Sequence, residues 1–85
     1  MTKKIQLKKN LKLTEKLATY IIDNPSVTKG IPSNASYVFY SATDKKLNKT
    51  NDAIIKSLLN QGTAVVKAQE TQNTKIPWKL TPVSP

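Results

Sequence analysis

Two short runs decide the fold: Ser36-Tyr-Val-Phe-Tyr-Ser41, and Gly62-Thr-Ala-Val-Val-Lys-Ala68. Both are dense in aromatic or β-branched residues, which suit a pleated, half-buried backbone, so both read as strands. The first is apolar almost without interruption, which predicts burial on both faces. Between them, Leu47, Ile54, Ile55, Leu58 and Leu59 gather into an arc of about 140° at helical spacing, while Lys49, Lys56, Ser57 and Asn60 face away. Thr43 or Asp44 supplies the N-cap of this helix, and Gly62 takes the left-handed position that ends it. A strand, a helix and a strand make a βαβ unit, whose crossover sets the strands parallel and is right-handed.

Outward on the N-terminal side, a second helical period runs from about Leu7 to Ile22. Leu11, Leu13, Leu17, Ala18, Tyr20, Ile21 and Ile22 fill an arc of about 200°, wider than a one-sided surface helix needs. Such a helix is expected to be covered on two sides. Asp23-Asn-Pro25 stops it, because the residue before proline is pushed out of the helical region. Residues 24–35 read as a loop or single turn, with Val27 and Ile31 anchored in the core. On the C-terminal side, Ile76-Pro-Trp-Lys-Leu-Thr-Pro-Val83 cannot be a central strand, since its prolines lack N–H donors, but it can be an edge or a packed arm. Trp78, Leu80 and Val83 are too apolar for an idle tail.

The expected fold is therefore α/β: a small α-β-α-β domain with a short parallel sheet. Two strands alone are a poor sheet, so the C-terminal arm or a second subunit is expected to complete it. The 85 residues suit one domain, divided into a basic segment 1–8, a core 9–68 and a tail 69–85.

The chain contains neither Cys nor His, which removes disulfides, the usual zinc ligands, and the Ser/His/Asp and Cys/His arrangements of nucleophilic catalysis. Its two glycines, Gly30 and Gly62, build no phosphate-cradling loop. No cofactor, metal site or catalytic residue is expected. Asp44 is the most suggestive acid, since ligands of open α/β sheets bind beyond the carboxyl ends of strands. Ser41, Thr43 and Asp44 could cradle a small ligand, although capping the helix is the simpler role for Asp44. The other acids, Glu15, Asp23, Asp52 and Glu70, are scattered along the sequence.

Fourteen basic residues, every one a lysine, outweigh five acids to give a net charge of +9. That balance is the footprint of a polyanion partner. It is also what an AT-rich coding sequence produces, given the accompanying Asn and Ile. Lys8, Lys9, Lys12 and Lys16, extended by Lys3 and Lys4, form the best phosphate-contacting face. Without arginine, which forks onto guanine edges, any nucleic-acid binding would be sequence-tolerant. Tyr37, Phe39 and Tyr40 could stack bases only on an open sheet face, and helices are expected on both faces, so core packing is the expected role of Phe39 and Val38, while the phenols of Tyr37 and Tyr40 could lie at an edge.

The Asn24-Pro-Ser-Val27 turn, Ile31-Pro-Ser-Asn-Ala35, Tyr37-Val-Phe39, Asp44, Leu47, Asn51 and Gly62-Thr-Ala-Val-Val66 together resemble a small family of uncharacterised bacterial and archaeal α/β proteins. The resemblance covers roughly residues 10–68 and implies the α/β frame without implying any catalytic residue.

The function these observations favour is a small non-enzymatic interaction or regulatory module, homodimeric or paired with another protein. Leu13, Leu17, Tyr20, Trp78 and Leu80 are the expected contacts. The alternative is a weak, sequence-tolerant nucleic-acid binder using the Lys8, Lys9, Lys12 and Lys16 face. No window approaches the roughly 20 apolar residues of a membrane span, and Lys8, Lys9 and Lys12 interrupt any signal-peptide core, so a cytoplasmic location is expected.

Overall fold

The computed structural model describes residues 2–83. Helix α1 spans Lys3–Asp23, a single 3-10 turn follows at Pro25–Thr28, and strand β1 covers Ser36–Tyr40. Helix α2 spans Lys45–Asn60, β2 covers Val65–Glu70, and β3 covers Trp78–Val83. The sheet order is β1-β2-β3, with β1 and β2 parallel and β3 antiparallel to β2. The C-terminal arm is thus the element that completes the sheet.

Helix α1 begins four residues before the apolar period suggests, within the basic segment 1–8. The Thr2 hydroxyl accepts the Ile5 N–H at 3.2 Å, and this cap carries the lysine-rich first turns into the helix. Its C-terminal end is closed by the Asn24 N–H donating to the Tyr20 and Ile21 carbonyls. At α2, Asp44 is the N-cap and accepts the Leu47 N–H at 3.0 Å. Gly62 follows with φ +74°, the left-handed turn that lets its N–H reach back to the Leu59 carbonyl.

The pairing Ser36↔Val65 and Val65↔Val83 assigns alternate residues to opposite sheet faces. Tyr37, Phe39, Ala68, Trp78 and Leu80 lie on one face and pack with Leu13, Leu17, Tyr20 and Ile21 of α1, joined by Leu47 from the first turn of α2. Val38, Tyr40, Val65 and Val83 lie on the other and pack with Ile55, Leu58 and Leu59 of α2. Each helix therefore covers one face, as the continuous apolar character of β1 predicts. Phe39 and Trp78 meet edge to face, their ring centres 6.1 Å apart and the planes at 79°.

Both sheet edges carry features that hinder the addition of a further strand. On the β1 side, Asn51 of α2 donates to the Phe39 carbonyl at 2.8 Å. On the β3 side, Pro82 lacks the N–H that an added strand would need, and the exposed Lys79 adds a charge.

Candidate functional site

The lysines of α1 and the loop after β1 meet in space. Lys9, Lys12 and Lys16 fall at helical spacing on one face of α1, opposite Ser41, Thr43 and Asp44. Together with Leu13, Leu47 and Glu70 they line an open groove of about 220 Å³. Because β1 and β2 are parallel, Ser41 and Glu70 stand at the same, carboxyl end of the two strands. This is where open α/β sheets place ligands.

Two ion pairs cross the groove. Lys9 Nζ donates to Asp44 Oδ2 at 2.5 Å, and Lys16 Nζ donates to Glu70 Oε2 at 3.2 Å. Lys12 stands between them without an acid partner among the described residues. The Lys9 ammonium, with help from the Leu47 N–H, holds the Asp44 carboxyl below its ordinary pKa. A carboxyl shifted this way adds stability at neutral pH that is lost as pH falls through its folded value. Glu70 also accepts the Ala42 N–H at 3.2 Å, tying the loop to β2. The sequence separates Asp44 from Glu70 by a helix and a strand, yet the fold sets both on one groove.

The loop itself is rigidly built. Ser41 Oγ accepts the N–H groups of Thr43 and Asp44, each at 3.1 Å. Asn48 closes it from α2, accepting the Ser41 N–H at 2.7 Å and donating to the Ser41 carbonyl at 2.9 Å. Both roles anticipated for Asp44, cap and groove residue, are thus present. Lys8 projects from the outer side of α1 and does not line the groove.

Tyr40 is buried and donates its phenolic proton to Asp52 Oδ1, while Lys67 Nζ lies 4.4 Å from its ring centre. Burial, then the hydrogen bond to Asp52, raises the phenol above its ordinary pKa and keeps it protonated.

The expected contact residues occupy the chain's own interior. Leu13, Leu17 and Trp78 are buried, and Tyr20 and Leu80 are half-buried against them. The arm supplies the second cover for this part of α1. The outward apolar positions of α1 are instead Ile5, exposed by 47%, and Leu7, Leu11 and Ile22, exposed by 71%, 59% and 78%. Beside Leu7, an apolar hollow of about 510 Å³ opens between the helices, walled by Ala53 and Ile54 of α2.

Beneath that hollow lies a polar contact that periodicity alone does not reveal. Asn51 is 1% exposed and exchanges hydrogen bonds with Asn10 of α1, donating to its Oδ1 at 2.9 Å. Gln6 donates to Asn51 Oδ1 at 3.1 Å. The signal available in sequence was an asparagine in the middle of the apolar arc of α2.

No helix among the described residues is long and apolar enough to cross a membrane. No curated protein and no solved structure matches the chain. A family model does match, over residues 5–83, taking in Lys8 and Lys9 of α1 and strand β3, which lie outside residues 10–68 of the motif resemblance. The chain belongs to that family, described as a Family of unknown function (DUF5647).

Proposed function

We propose that the chain is a non-enzymatic interaction module that pairs with a second copy of itself through the outward face of α1. The observation that carries this reading is the exposure of Leu7, Leu11 and Ile22 along one line of the helix. With Ala18 they fall within about 60° of one another at 100° per residue. Their spacing of four, seven and four residues is the same read from either end. In an antiparallel pair related by a two-fold axis, Leu7 meets Ile22 of the copy and Leu11 meets its Ala18. The Asn51 contact at the β1 edge and Pro82 at the β3 edge hinder strand addition, which favours a helix face for pairing.

Three large side chains per copy supply a gross gain of roughly 10 kcal/mol on burial. The cost of association is of similar size, so pairing is weak and depends on concentration. Because each copy carries +9, screening by salt favours pairing. Salt acts oppositely on a lysine face bound to nucleic acid, where affinity falls steeply. The nucleic-acid reading also has less support, since Lys9 and Lys16 are engaged by Asp44 and Glu70.

Sedimentation equilibrium tests the proposal. The wild type is expected to approach dimer mass as concentration and salt rise, and Leu11→Asp to remain monomeric while melting as the dilute wild type does. A wild type that stays monomeric at the highest attainable concentration, or a Leu11→Asp chain that dimerises equally, refutes it.

A further inference from the structure

We infer that the groove between α1 and the Ser41–Asp44 loop binds a compact phosphate-type anion, with Lys12 as its free cation. The proposal concerns a different surface from the outward stripe and does not depend on it. It begins from a charge imbalance in the groove. Lys8, Lys9, Lys12 and Lys16 crowd one side of α1, and like charges three or four residues apart weaken a helix. Asp44 answers Lys9 and Glu70 answers Lys16, while Lys12, between them, has no acid partner among the described residues.

The two carboxylates neutralise the lysines they pair with. Both acids are half-buried, with side chains 26% and 19% exposed, and hold the ammonium groups of Lys9 and Lys16 on the groove wall. Each of these pairs is neutral, so Lys12 supplies the excess positive charge of the groove. Ser41 Oγ, which accepts two backbone N–H groups, retains its own proton as a donor, and Thr43 contributes a second hydroxyl. The N-terminus of α2 is not the source of attraction here, because Asp44 already occupies the Leu47 N–H.

Size selects the ligand class. The groove volume of about 220 Å³ lies below the roughly 300–1,000 Å³ typical of pockets for drug-sized organic ligands, and suits one or two phosphoryl groups. The lining has two hydroxyls and three ammonium groups, two of them paired with Asp44 and Glu70, beside apolar surface from Leu13 and Leu47. Inorganic phosphate and pyrophosphate are therefore the fitting probes.

The test is a titration of the ¹⁵N-labelled full chain with pyrophosphate and with inorganic phosphate at constant ionic strength, followed by amide shifts. Saturable shifts are expected at residues 9–16 and 41–44, with chloride producing none. Lys12→Gln should weaken binding by roughly fivefold, the worth of one partly exposed charge pair, and Lys12→Arg should retain it. Lys56→Gln, remote on α2, should change nothing. The most telling variant is Asp44→Asn, which keeps a good N-cap but releases Lys9 and removes a negative charge, so binding should tighten severalfold. Shifts no larger than those from chloride, equal losses in Lys12→Gln and Lys56→Gln, or weaker binding by Asp44→Asn would overturn the proposal. So would binding of a short oligothymidylate with none of pyrophosphate, which would assign the lysines to a nucleic-acid backbone.

Discussion

Trp78→Ala is expected to lower the thermal midpoint by more than about 12 °C, or to leave the chain unfolded at room temperature. The substitution removes the largest side chain of the α1-side cluster, 5% exposed and in edge-to-face contact with Phe39. Truncating a buried Trp costs about 3–5 kcal/mol in lost transfer energy and residual cavity. A domain of this length holds only about 4–13 kcal/mol in total. Each kcal/mol moves the midpoint of so small a domain by roughly 4–8 °C. The loss also acts on topology, because β3 is fastened to β2 along its length and Trp78 is its anchor under α1. Thermal denaturation followed by circular dichroism reads the effect, and a shift below about 5 °C would mean that the arm is dispensable to the core.

Asn51→Ala is expected to cost about 2–3 kcal/mol, most of it from a polar group left stranded. Asn51 is 1% exposed and donates to the Phe39 carbonyl at 2.8 Å, so the substitution strips that edge carbonyl of its partner. A buried group without a partner costs roughly 1–3 kcal/mol, more than the net worth of an ordinary hydrogen bond. Asn10 and Gln6 lose the same partner but are half-exposed and regain water. The Asn10→Ala and Asn51→Ala effects should therefore be non-additive by at least about 0.5 kcal/mol in a double-mutant cycle. Additive effects in urea denaturation would show that the bridge between the helices is energetically idle.

Much of the fold was legible because its elements obey one period at a time. The Ser36–Tyr40 strand, the α2 arc, Gly62 after it and the parallel crossover all follow from local pattern, and the structure contains them. The C-terminal arm was legible as an edge because Pro77 and Pro82 exclude a central position. What stayed hidden was pairing across sequence distance. Leu13, Leu17 and Trp78 read as an outward contact set because the 200° arc of α1 could not be divided by periodicity. The division became visible only once β3 covered the Leu13–Leu17 side and left Leu7, Leu11 and Ile22 outside. The start of α1 at Lys3 was masked by charge, since its first turns hold Lys3, Lys4, Lys8 and Lys9 and depend on the Thr2 cap. Glu70 looked like an isolated acid because only the parallel register brings the end of β2 beside the end of β1. For the candidate groove, the residue types on both walls were recognisable, but their meeting was a property of the fold.

The antiparallel pairing of α1 is tested most directly by the distance between the same residue in two copies. The chain has no native Cys, so spin labels on Glu15→Cys and, separately, Lys4→Cys report single positions. With the two-fold axis midway between Leu11 and Ala18, and a rise of about 1.5 Å per residue, labels at position 15 lie nearly level while labels at position 4 are separated by roughly 30 Å along the helix. Dipolar electron spin resonance at high protein concentration should therefore show strong short-range broadening for the first and a resolved distance near roughly 30 Å for the second. Equal short distances at both positions, or no dipolar coupling at either, would contradict pairing through the outward stripe of α1.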